Sequence, residues 1–180
     1  MSRPSTDERT EPVTDEVWTT GGTVRGRVRK GVLDFRGIPY GAPPVGELRF
    51  APPRPAARWK GVLDATEWGP LCPQPVPAVA AAPHYAALFP APPGDAARAD
   101  EDCLRLNVTT PALDGAGRPV LVWCHGGAFL QGFASGGRTA PHRLVARGDL
   151  VVVSMHHRVG VLGYTYLGHH GADPATGTLG

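Results

Sequence analysis

The apolar run 119–124, Pro-Val-Leu-Val-Trp-Cys, stops abruptly on His125-Gly126-Gly127-Ala128, and this junction constrains the chain more than any other stretch. A short run of that composition predicts a strand buried on both faces, as in the middle of a parallel sheet. Two glycines in succession let the backbone take positive φ and let a ligand approach closely. Such a turn can aim consecutive N–H groups into one small space, which makes an anion-binding nest. Behind a central strand, such a nest typically holds the negative oxygen that develops during acyl transfer. The competing reading is a tight turn that binds nothing, because a Gly-Gly pair alone is a weak signal.

The segment downstream completes a recognisable unit. Thr139 can cap a helix that runs to about Arg147, with Pro141 in its first turn and Gly148 just past its end. Residues 150–155, Leu-Val-Val-Val-Ser-Met, then predict a second buried strand. Strand, glycine loop, helix and strand form one βαβ crossover, so the two strands should run parallel. Upstream, residues 17–20, 23–28 and 32–35 are rich in β-formers and are separated by Gly21-Gly22 and Lys30-Gly31. They predict a small antiparallel meander, and residues 104–108 predict a further strand. The fold class is therefore α/β, a mixed sheet with antiparallel edge strands and a parallel centre. Residues 1–16 are polar and charged and read as a disordered leader, leaving 17–180 as the folded part. In the Pro- and Ala-rich stretch 73–100, only residues 85–89 could make a helical turn.

Composition narrows the function classes. At 180 residues and 42% hydrophobic, the chain can bury one real core. A net charge of +2 gives no basic footprint for nucleic acid. Apolar runs are strand-sized, which excludes a membrane-spanning helix, and residues 1–16 lack the apolar region of a signal peptide. That absence points to the cytoplasm. Three cysteines, Cys72, Cys103 and Cys124, fit either three thiols or one disulfide and one thiol. Cys124 ends an apolar strand and reads as a buried core thiol. The pairs His156-His157 and His169-His170 suggest metal, but neighbouring side chains on a strand point to opposite faces and no Cys or carboxylate spacing completes a set. No metal or cofactor is expected.

Five ordered blocks carry a resemblance. They are Phe35-Arg36-Gly37-Ile38-Pro39-Tyr40-Gly41-Ala42-Pro43-Pro44-Val45-Gly46, Trp59 through Cys72-Pro73-Gln74, Glu101-Asp102-Cys103-Leu104-Arg105-Leu106-Asn107-Val108, Val122 through Phe129, and Val151 through Tyr164. Together they resemble the type-B carboxylesterases, and His-Gly-Gly-x-Phe after a strand is the lipase/esterase form of the nest. Two positions depart from the family pattern: Arg105 where an aromatic or Thr is usual, and His157 where Tyr is common.

The resemblance implies the N-terminal portion of an α/β-hydrolase acting on small-molecule carboxylic esters through a Ser-Glu-His triad. It makes Gly127 and Ala128 the oxyanion donors, with His125, Gly126 and Phe129 supporting the loop. It also implies a Cys72–Cys103 disulfide, an Arg49–Glu101 ion pair, and an Asp partner for Arg158 located beyond Gly180. The nucleophile should sit in a Gly-x-Ser-x-Gly elbow. None of Ser2, Ser5, Ser135 and Ser154 has a glycine two residues away on both sides; Ser135 has Gly137 after it but Phe133 before it. The whole triad is therefore expected beyond Gly180, and the 180-residue chain alone should be inactive. The alternative is a non-catalytic, cholinesterase-like binding or adhesion module, or an inactive fragment.

Overall fold

The computed structural model describes residues 12–75, 98–135 and 141–180. Its strands in chain order are β1 (Val17–Thr19), β2 (Gly22–Arg25), β3 (Arg27–Arg29), β4 (Val32–Pro39), β5 (Val62–Asp64), β6 (Arg105–Thr110), β7 (Val120–Cys124) and β8 (Val151–Met155). Two short α-helices follow β7 and β8: α1 (His142–Gly148) and α2 (Gly160–Tyr164). The larger sheet has the order β3-β4-β6-β8-β7, and a smaller one has the order β1-β2-β5. Every neighbouring pair in the larger sheet is antiparallel except β7–β8, which is parallel with Val120 opposite Val151 and Cys124 opposite Met155. The mixed α/β sheet thus has the antiparallel and parallel parts its sequence pattern calls for.

The upstream meander is split between the two sheets. β1 pairs with β2 in one, and β3 pairs with β4 in the other. The break falls at Gly26, where the chain crosses so close to β4 that a Cβ would lie 2.4 Å from the Asp34 carbonyl oxygen and 2.7 Å from the Phe35 ring. Only glycine permits that approach. Val24, Phe35 and Ala65 fill the core beside this crossing, with Trp59 packed on them. The paired chain also begins earlier than the composition of residues 1–16 suggests. The Thr14 N–H donates to the Gly26 carbonyl at 2.9 Å, Val28 N–H to Pro12 at 2.8 Å, and Val13 bridges to Arg27. Residues 12–14 pair because β3 offers them an open edge; residues 1–11 lie outside the described residues.

Three further expectations are corrected. β7 is not buried on both faces: all five of its residues are exposed, Cys124 included. It forms the edge of the sheet, bonded to β8 alone among the described residues, and α1 packs instead on β4 and β6. β8 is the interior strand, between β6 and β7. Helix α1 includes Gly148, and the left-handed residue that ends it is Asp149, with φ 47°. An aspartate tolerates that conformation, and its carboxylate is held by Arg118 at 2.6 Å. The proposed cap at Thr139 and the helical turn at 85–89 lie outside the described residues.

A buried polar knot fastens the sheet to the helix. Asp34 on β4 accepts from Arg36 Nε at 2.9 Å and from the Thr109 hydroxyl on β6 at 3.0 Å. Arg29 of β3 lies 3.4 Å from the same carboxylate and His142 of α1 lies 3.6 Å away. Arg36 also lies over the Trp68 ring at 3.8 Å, a cation–π contact. Burial alone would raise the Asp34 pKa. The adjacent His142 ring and the charge of Arg36 outweigh it, so the carboxyl lies below its ordinary value.

Candidate active site

The loop after β7 is built by its glycines. Gly127 has φ 143°, and Ala128 and Phe129 have φ 54° and 64°. A Cβ on Gly127 would stand 1.7 Å from the Gln131 carbonyl oxygen, so no other residue fits. The Gly127 carbonyl accepts from Leu130 N–H at 3.1 Å and Gln131 N–H at 3.2 Å, which closes the turn. Two consecutive non-glycine residues in left-handed backbone cost on the order of 1–2 kcal/mol each, and such strain clusters at functional sites. Gly126, Gly127 and Ala128 line a cleft of about 540 Å³, together with Tyr40, His157 and Tyr164. Among the described residues, no protein acceptor takes the Gly127 or Ala128 N–H.

His125 supports this loop. Its Nδ1 lies 3.1 Å from the Gly126 carbonyl, so that nitrogen carries the proton of the neutral ring. The ring stacks on His157 with centroids 4.2 Å apart and planes 12° off parallel. Burial, and then the neighbouring His157, push the His125 pKa down to about 4. It is a neutral ring at pH 7 and a weak base, which suits anchoring better than proton abstraction. His157, whose Nδ1 is 2.9 Å from the Arg158 carbonyl, is the partner that sequence reasoning missed. Its substitution at a position where the family often has Tyr was the available signal. His156 is buried behind the pair, its Nδ1 accepting from Ala134 N–H at 3.4 Å, with its pKa pushed down to about 3 by burial first. Phe129 is exposed, tilts against Tyr164 at 4.8 Å, and its carbonyl accepts from Gly160 N–H at 2.6 Å.

The remaining candidates lie beneath or beside the cleft. Arg49 and Glu101 meet in a bidentate pair, Nε–Oε2 2.6 Å and Nη2–Oε1 3.0 Å. Arg158 does find partners: Nε donates to the Leu179 carbonyl at 2.9 Å and Nη1 to the carbonyls of Ala51 and Arg49 at 3.0 and 3.3 Å. Its Nη2 alone has none among the described residues. Cys72 and Cys103 are buried thiols packed together with Val159. Each acts on the other: hydrogen bonding between them, the largest influence on both, lowers the Cys72 pKa and raises that of Cys103. Ser135 and Ser154 are buried, and neither lines the cleft.

Comparison with known proteins shows the family of the chain. The family model described as the carboxylesterase family matches residues 13–179. The chain is 45% identical over 149 residues to phenmedipham hydrolase of Pseudarthrobacter oxydans, covering 81% of this chain and 28% of that protein. It is 40% identical over 151 residues to para-nitrobenzyl esterase of Bacillus subtilis, covering 84% of this chain and 29% of that protein. A crystal structure of a Geobacillus stearothermophilus carboxylesterase superposes with a TM-score of 0.77 at 39% identity, covering 92% of this chain and 31% of that one. The chain spans less than a third of the length of each of these relatives. It belongs to the carboxylesterase family and carries part of that family's α/β-hydrolase fold.

Proposed function

We propose that the chain supplies the oxyanion-hole segment of a serine carboxylic-ester hydrolase, with the Gly127 and Ala128 N–H groups as donors. The observation that carries this is the pair of consecutive N–H groups, without protein acceptors among the described residues, on a strained turn lining the cleft. An ester carbonyl seated there becomes a tetrahedral oxyanion when a nucleophile attacks. Two fixed donors stabilise that charge more than the ground-state carbonyl. The seryl attack, the acyl-enzyme and its hydrolysis need a Ser-His-acid set that the motifs of this sequence do not provide. The chain's own part is to bind the carbonyl oxygen and to wall the cleft with Tyr40, Phe129 and Tyr164. The substrate is a small-molecule carboxylic ester, and this chain by itself turns none over.

The coding sequence read past Gly180 is the first test. A Gly-x-Ser-x-Gly elbow followed by Glu and His supports the enzyme. A continued fold lacking that serine selects a non-catalytic binding module. In the extended polypeptide, Gly127→Ala should displace the turn, because of the 1.7 Å clash with Gln131. It should lower kcat by about 10²–10³ with little change in KM, the usual cost of losing one such donor. Unchanged turnover in that variant would refute the assignment.

A further inference from the structure

The loop that carries the donors buries little of itself. Ala128, Phe129 and Leu130 are all exposed, and Phe129 keeps 66% of its surface in water. Packing therefore cannot fix it, and its geometry must come from hydrogen bonds at its ends. Gly160 N–H grips the Phe129 carbonyl at the far end. At the near end the loop closes at Gly132, which passes so close to the loop's start that a Cβ would lie 2.1 Å from His125 Nδ1 and 2.4 Å from the Gly126 carbonyl oxygen.

Gly132 is held by one side chain, 58 residues away in sequence. Gln74 Oε1 accepts from Gly132 N–H at 2.7 Å, and its Nε2 donates to the Gly132 carbonyl at 2.9 Å and to its own segment's Cys72 carbonyl at 3.0 Å. The orientation of the amide is dictated by its partners. One N–H faces the oxygen and two carbonyls face the nitrogen, so a flipped amide would oppose donor to donor. Both donors and the acceptor are used. The same segment reaches the other end of the loop, since Cys72 Sγ accepts from Val159 N–H at 3.4 Å, next to Gly160.

We propose that Gln74 is a positioning residue for the oxyanion loop: its amide clamps Gly132 and so fixes where the Gly127 and Ala128 N–H groups stand. It touches no substrate; it acts through the backbone of the loop it closes. The catalytic meaning of the clamp rests on the oxyanion reading above, whereas the clamp itself is measurable without turnover.

Hydrogen exchange on the native 180-residue chain, read by mass spectrometry of peptic peptides, tests it. Gln74→Met keeps the length and removes every polar atom. It should speed exchange in peptides containing residues 126–133 by roughly tenfold or more, while the β4 and β6 peptides change by less than about twofold. Gln74→Glu separates the donor role from bulk. Ionised, it presents only acceptors to two carbonyls and should match Gln74→Met. Protonated, it regains one O–H donor, so loop protection, corrected for the intrinsic pH dependence of exchange, should return toward wild type between about pH 7 and 4. Loop protection unchanged in Gln74→Met overturns the proposal. So does equal acceleration of every peptide, which would make Gln74 a general stabiliser, or a Gln74→Glu loop indifferent to pH. A clamp confirmed by exchange in a chain whose extended form hydrolyses no ester would leave the positioning intact and reject the oxyanion function instead.

Discussion

Replacing Asp34 by Ala should be among the most damaging single changes in this chain. The carboxylate is 2% exposed and is the shared counter-charge of Arg36 and Arg29, each 3% exposed. It also accepts the Thr109 hydroxyl and faces His142, so it joins β3, β4, β6 and α1 at one point. Removing one partner of a buried ion pair typically costs about 3–5 kcal/mol. Losing the Thr109 hydrogen bond adds about 1 kcal/mol. Against a typical domain stability of about 5–15 kcal/mol, that is enough to unfold a marginal domain. Asp34→Asn keeps the shape and an acceptor for Thr109, so it should cost less than Asp34→Ala. Urea unfolding followed by tryptophan fluorescence measures both, because Trp68 stacks on Arg36 and reports the knot directly. A loss below about 1 kcal/mol for Asp34→Ala would refute the idea that this knot organises the sheet.

Other consequences follow from the same structure. A thiol-specific reagent should label Cys124 rapidly and leave the buried Cys72 and Cys103 slow until unfolding; three equally fast thiols would contradict this. If Cys72 and Cys103 join under a mild oxidant, as we propose from their contact, mass spectrometry should show the loss of two hydrogens from peptides linking these two residues only. His156, held neutral with a pKa of about 3 against 6.5 in the unfolded chain, takes up its proton only on unfolding in that window. Its contribution is therefore complete above about pH 6.5 and is lost as pH falls, by roughly 1 kcal/mol per unit. The slope of urea midpoints from pH 6.5 to 4 should flatten in His156→Gln. The bare apolar edge at β7 should make the chain self-associate at high concentration. Val122→Lys should raise the monomer fraction in light scattering, and a monodisperse wild-type chain with a cooperative melt would contradict the prediction.

What the sequence reveals and what it hides have physical causes. The parallel β7–β8 pair and the glycine turn are legible because strands and left-handed backbone favour particular residues: Val-rich runs in one case, Gly127 in the other. The exposure of β7 is not legible, because an apolar run signals a strand suited to burial and not whether a neighbour covers it. The split at Gly26 is hidden for a related reason. A lone glycine within β-formers marks a close approach without naming the strand approached. The Asp34 knot leaves only a faint trace, one acidic residue in an apolar strand with Arg29 and Arg36 nearby. The stack of His125 on His157 and the Gln74 clamp join residues 32 and 58 positions apart, and nothing local encodes either contact.

The proposal that this chain supplies an oxyanion nest without its nucleophile is checked with a serine-directed fluorophosphonate. Purified 180-residue chain and any natural form of the polypeptide that continues past Gly180 with a Gly-x-Ser-x-Gly motif are treated in parallel, and the adduct is located by peptide mass spectrometry. Pre-steady-state release of p-nitrophenol from a short-chain ester is followed in the same preparations. No label and no burst are expected from the 180-residue chain, and one label per molecule, on the serine of that motif, in the longer form. Stoichiometric labelling of the 180-residue chain, with Ser135 or Ser154 the first positions to inspect, would contradict it.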